Sequence, residues 1–194
     1  QVRIALNPGG RAAVSTWPRG VVALVPNCED SFAVDLDGDG RQDLVTCAEQ
    51  LHKSVYVHWA PDSNEQLLTT SAWKTFRFPQ VPLRFWMYGT SAQIDGEHGP
   101  DLFIAAKSDS AAGLVEVAYL KAPAAPRQMQ DWTFHQIGRA SWATALIAHD
   151  MDGDGDTDLV VFDRQGETRG VSWLEHPGVD QLPLGLMWTE HRIS

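Results

Sequence analysis

The sequence predicts an all-β chain made of repeated four-stranded units, on three observations. A nine-residue acidic loop occurs twice in nearly the same form. Its last aspartate recurs as Asp43, Asp101 and Asp158, at steps of about 57 residues. Short alternating strands, punctuated by Trp and Pro in constant phase, surround each copy, and no convincing helical period interrupts them.

The first nine residues, Gln1 to Gly9, match the third strand of a unit and its proline turn, and Trp17 to Leu24 match the fourth. The unit over 1–26 is therefore half a repeat, without its first two strands. Three whole repeats follow, over 27–80, 81–138 and 139–194. In each, one strand enters the acidic loop and one leaves it. A third runs into a proline turn, as in Val55–Pro61, Val115–Pro123 and Gly170–Gly178. A fourth opens on tryptophan, at Trp73, Trp132 and Trp188. Four-stranded antiparallel units at this period point to a β-propeller, in which neighbouring blades protect each other's edges and aromatic side chains fill the wedges between them. The chain reads as a single partial propeller domain over 1–194, about three and a half blades. Either it is a segment of a longer propeller or other chains complete it; the first is favoured because it begins in mid-blade.

The loops are Asp35-Leu36-Asp37-Gly38-Asp39-Gly40-Arg41-Gln42-Asp43 and Asp150-Met151-Asp152-Gly153-Asp154-Gly155-Asp156-Thr157-Asp158. Carboxylates at positions 1, 3, 5 and 9 converge, and glycines at 4 and 6 allow the tight fold that this needs. Two such charges about 4 Å apart repel by roughly 4 kcal/mol at a surface-like dielectric, a cost that a divalent cation removes. Oxygen-only donors in this number favour calcium over zinc, copper or magnesium. An EF-hand begins alike but needs Glu at position 12 and flanking helices. Here position 12 is Thr46 or Val161, inside β-prone runs. A metal-free Asx-type turn is the simpler alternative for one loop and a poor one for two. The middle copy, Gln93-Ile94-Asp95-Gly96-Glu97-His98-Gly99-Pro100-Asp101, has an amide at position 1 and His98 for the second glycine. Asp95, Glu97 and Asp101 are expected to form a weak or empty site beside two good ones.

Composition narrows the partners. A net charge of −10 argues against nucleic acid, and no apolar run is long enough to span a bilayer. Cys28 and Cys47 bracket the first loop; a disulfide and two free thiols are both compatible with their spacing. The chain opens on Gln1 and shows no signal peptide, as a mature or excised piece would.

With these loops, period and strands, the sequence resembles the FG-GAP/VCBS-type repeat family, the calcium-binding propellers of integrin alpha subunits and many secreted bacterial proteins. It has neither the Phe-Gly pair nor the Gly-Ala-Pro triplet of the integrin branch, and fits the looser bacterial type better. The resemblance implies calcium held by the side chains of Asp35, Asp37, Asp39 and Asp43 with the Arg41 carbonyl. It implies a second ion held by Asp150, Asp152, Asp154 and Asp158 with the Asp156 carbonyl. It also implies an adhesion, carbohydrate-recognition or scaffold role, the alternative being the propeller portion of a carbohydrate-active lyase or dehydratase.

No catalytic constellation emerges. His58, His149, His176 and His191 lie near strand ends, yet His135 and His191 occupy equivalent repeat positions and read as part of the blade. Trp86, Tyr88 and Trp142 fall outside the repeated tryptophan phase, and either meet a ligand or line a central channel. The expectation is a secreted, extracellular or periplasmic calcium-stabilised module with a protein or carbohydrate ligand.

Overall fold

A computed structural model describes residues 1–10, 15–110 and 113–194. Of the half unit expected over 1–26, residues 11–14 lie outside the described residues. The chain is all-β. Its strands are β1 (Val2–Ala5), β2 (Arg19–Ala23), β3 (Cys28–Val34), β4 (Asp43–Ala48), β5 (Ser54–Trp59), β6 (Lys74–Arg77), β7 (Phe85–Ala92), β8 (Asp101–Lys107), β9 (Val115–Lys121), β10 (Thr133–Ala140), β11 (Ala143–His149), β12 (Asp158–Asp163), β13 (Gly170–Glu175) and β14 (Thr189–Arg192). Among the described residues the helical turns are short 3-10 segments, such as Met129–Asp131.

These strands form a two-stranded sheet, β1–β2, and three four-stranded antiparallel sheets in the simple orders β3-β4-β5-β6, β7-β8-β9-β10 and β11-β12-β13-β14. Each acidic loop joins the first two strands of its sheet. Thr46 and Val161 lie within β4 and β12, so the loops sit in hairpins rather than between helices.

Sheets stack because their central strands are apolar on both faces. Along β4, Leu44 and Ala48 pack toward β1–β2 with Val2, Val22 and Trp73, whereas Val45 and Cys47 pack toward the second sheet. Along β8, Leu102, Ile104 and Ala106 face the first sheet, and Phe103 and Ala105 face the third. Period-2 alternation of apolar with apolar is what a strand buried on both sides requires. Each interface also receives one of the repeated tryptophans: Trp73 in the first core, Trp132 in the second, Trp188 in the third. On β7, Gly89 permits the close approach, since a Cβ there would meet the Phe32 ring at 2.7 Å.

The two cysteines are free thiols. Cys28 pairs across the ladder with Ala48, while Cys47 pairs with Asp30 beyond a bulge. Cys28 packs toward β1–β2 and Cys47 toward the second sheet, so the strand pleat points them to opposite faces.

Candidate metal centre

Each acidic hairpin is locked by its ninth residue. Asp43 Oδ1 accepts the Ala60 N–H at 2.7 Å and Oδ2 accepts the Leu36 N–H at 3.2 Å. Asp101 does the same with Ala122 (2.7 Å) and Ile94 (3.0 Å), and Asp158 with His176 (2.7 Å) and Met151 (2.8 Å). All three carboxylates are buried. Burial pushes Asp43 and Asp101 up to about 6, against the lowering effect of those two amides, and pushes Asp158 up as well.

The remaining carboxylates curl around the turn. In the first loop Asp35 Oδ1 accepts the N–H groups of Gly38 (2.9 Å) and Asp39 (3.1 Å), and its Oδ2 accepts that of Gly40 (2.9 Å). In the last loop Asp150 accepts Gly153 at 2.7 Å and Gly155 at 3.1 Å. Gly38, Gly40, Gly153 and Gly155 all have left-handed φ, between 72° and 96°, which only glycine adopts without strain. Asp37 and Asp39, like Asp152 and Asp154, spend Oδ1 on a backbone amide two residues on, which directs Oδ2 elsewhere.

Two oxygen clusters result. Carboxylate atoms of Asp35, Asp37 and Asp39 lie within 4.8 Å of one another, and so do those of Asp150, Asp152 and Asp158. Asp43 stays outside the first group, whereas its counterpart Asp158 belongs to the second while still locking its hairpin; Asp154 lies outside the second. The donor set is hard oxygen throughout and could hold a metal ion of the kind that prefers oxygen ligands. Surroundings differ between the two. Arg127, reaching from the second sheet's outer loop, places Nε 2.5 Å from Asp37 Oδ2, and Arg41 places Nη2 2.5 Å from Asp39 Oδ2. Among the described residues no lysine or arginine pairs with Asp150, Asp152, Asp154, Asp156 or Asp158; Asp156 has only the His176 ring, 3.3 Å away. The last loop therefore carries the largest uncompensated charge.

In the middle hairpin Asp95, Glu97 and Asp101 form no comparable cluster. Asp95 and Glu97 turn instead to Lys121, whose Nζ lies 2.7 Å and 3.0 Å from them. His98 keeps the left-handed backbone of the glycine it replaces, with φ of 51°.

The four histidines do not converge: no hydrogen bond or ring contact joins any two of them among the described residues. His58 is buried between the hydroxyls of Thr75 (2.8 Å) and Thr46 (3.0 Å), and burial lowers its pKa to about 4. Buried His176 accepts the Gly178 N–H at Nδ1 and donates from Nε2 to the Ile94 carbonyl, 3.0 Å away, tying the last hairpin to the middle one. His191 stacks on Trp173 at 4.3 Å and meets Glu175 at 2.5 Å. His149 ends β11 at the entry of the last loop.

Trp86 neither faces a ligand nor lines a channel. It is fully buried between the first two sheets, its Nε1 donating to Pro82 O. Trp142 is half-buried at the end opposite the acidic loops, in a row that alternates cation with ring. Lys53 lies 4.2 Å from the Phe85 centroid, Lys107 lies 5.7 Å from Phe85 and 4.6 Å from Trp142, and Arg164 lies 4.3 Å from Trp142. Lys107 also pairs with Glu49 of the first sheet, so the row bridges neighbouring sheets. A cleft of 410 Å³ opens beside it, with Lys53, Arg84, Phe85, Lys107 and Glu116 among its walls.

Sequence reasoning missed Arg127 and Lys121, because each arrives from a strand or loop distant from the carboxylates it meets. A signal was present for Lys121: it stands one residue before the lock's amide donor, where the other repeats have Trp59 and Glu175. No protein-family model matches the chain, and no curated protein is significantly similar to it.

Proposed function

We propose that this chain forms three and a half blades of a calcium-stabilised β-propeller that works outside the cell as a binding or scaffold module for a carbohydrate or protein ligand. The observation that carries the reading is the pair of equivalent hairpin loops, each gathering three carboxylates within 4.8 Å. Two charged clusters in one phase of a repeat, one of them without a basic partner, favour a divalent cation over bare Asx turns.

The propeller reading is supported by sheets that stack face to face in chain order, with β7 against β3 and β4, and β11 against β7 and β8. Further segments or chains complete the ring at two places. One is the edge of β1, which pairs only with β2 among the described residues. The other is the far face of the last sheet, where strand alternation places Val160, Phe162 and Trp173 opposite the face that meets the second sheet. Export is favoured by the shallow, solvent-facing loops, which suit the high calcium found outside the cytosol. No helix among the described residues is long and apolar enough to cross a membrane. Binding is preferred to catalysis because His58, His176 and His191 each have separate partners and do not converge. The cleft lined by Phe85 is of ligand size and combines that ring with charged groups.

Calorimetric titration of the metal-stripped protein with calcium tests the reading. Two ions per chain and a melting temperature that falls in excess EDTA are expected; no binding heat and an unchanged melting curve would remove it.

A further inference from the structure

The three hairpins are equivalent in backbone but not in what closes them. At position 1 of the outer loops a carboxylate accepts amide protons and has none to donate. Gln93 does both jobs. Its Oε1 accepts the N–H of Gly96 (2.9 Å), as Asp35 and Asp150 accept those of Gly38 and Gly153, and takes the N–H of Asp95 (3.2 Å) as well. Its Nε2 also donates to the carbonyls of Glu97 (3.0 Å) and Gly99 (3.1 Å), which a carboxylate there would repel.

The charge is closed separately. Lys121, the last residue of β9, reaches Asp95 Oδ2 and Glu97 Oε2 at 2.7 and 3.0 Å, with Asp95 only 7% exposed. An ammonium with two carboxylate partners, one of them buried, replaces the attraction that a metal ion would supply. In the other sheets the same position holds Trp59 or Glu175, neither of which can do so.

We propose that the middle hairpin is a metal-independent blade, its loop closed by the Lys121 ammonium and the Gln93 amide in place of a bound ion. The contrast with the outer loops rests on the calcium reading; the closure itself rests on the middle loop's own contacts. The chain then has a permanently closed hairpin between two that are cation-dependent, and His176 joins that fixed hairpin to the last one through the Ile94 carbonyl.

Amide hydrogen exchange on the full chain tests this, with calcium or with EDTA, in the wild type and in Lys121→Met, Lys121→Arg and Gln93→Glu. The amides of Gly96 and Glu97 should exchange at the same rate with calcium and with EDTA in the wild type. They should exchange about tenfold faster in Lys121→Met under both conditions, and stay protected in Lys121→Arg. Gln93→Glu, which keeps the shape and loses the donors, should open the same amides if Lys121→Met does not fold. Deprotection of these amides by EDTA in the wild type would overturn the proposal, as would unchanged exchange in either Lys121→Met or Gln93→Glu. Failure of the calcium reading shows elsewhere, as Gly38 and Gly153 amides that ignore EDTA.

Discussion

Asp101 accepts the amide of Ala122 at 2.7 Å across 21 residues of chain, and with Ile94 on its other oxygen it fastens three segments of one sheet. Truncation to alanine strands two buried N–H donors, each worth about 1–3 kcal/mol when unpaired. Asp101→Ala should therefore lower stability by about 2–6 kcal/mol, read as a lower urea midpoint with the slope unchanged.

The outer loops should respond to substitution one at a time. Asp150→Ala removes the acceptor for Gly153 and Gly155 together with one oxygen of the cluster. Calcium titration of this variant should show one ion where two are expected of the wild type, and Asp35→Ala should lose the other. The last loop should be the tighter site, since Arg127 and Arg41 already neutralise part of the first.

In acid, His58 should work against folding, opposite in sign to the raised Asp43 and Asp101. Its folded-state pKa of about 4 lies below the ordinary histidine value, so the unfolded chain takes up a proton that the folded chain refuses. That contribution to stability is intact above about pH 6.5 and is lost as pH falls toward 4. The His58 ring should give unshifted proton resonances down to about pH 5, checked by NMR titration.

The thiols should stay reduced and separate. Cys47 is fully buried, and burial also raises its pKa well above the usual thiol value. It should resist alkylation until the protein unfolds, whereas half-buried Cys28 should react slowly in the folded state; mass spectrometry under oxidising conditions should find no intrachain link.

At Gly89 any side chain collides with the Phe32 ring and crowds the Phe103 carbonyl of the neighbouring strand. Gly89→Val should cost about 1–3 kcal/mol by overpacking, and double substitution with Phe32→Ala should recover part of it.

The hairpins and the tryptophan positions were legible in the sequence because they repeat, and repetition reports directly on local structure. Trp73, Trp132 and Trp188 each enter the seam expected of them. What repetition hides is every feature that breaks it. Trp86 reads as an exposed aromatic until the structure buries it between sheets, Arg127 joins a loop about ninety residues away, and the two backbone amides that each ninth aspartate accepts leave no mark in the sequence. The cysteines were undecidable from spacing, since a single bulge beside Asp30 sets their pairing.

Because each of the three cores joins only adjacent sheets, the molecule is coupled like beads on a line rather than as one undivided interior. Damage at one seam should stay there, and the indoles lodged in each seam offer a separate optical gauge of its opening. Unfolding would then be readable seam by seam, from whichever end gives way first.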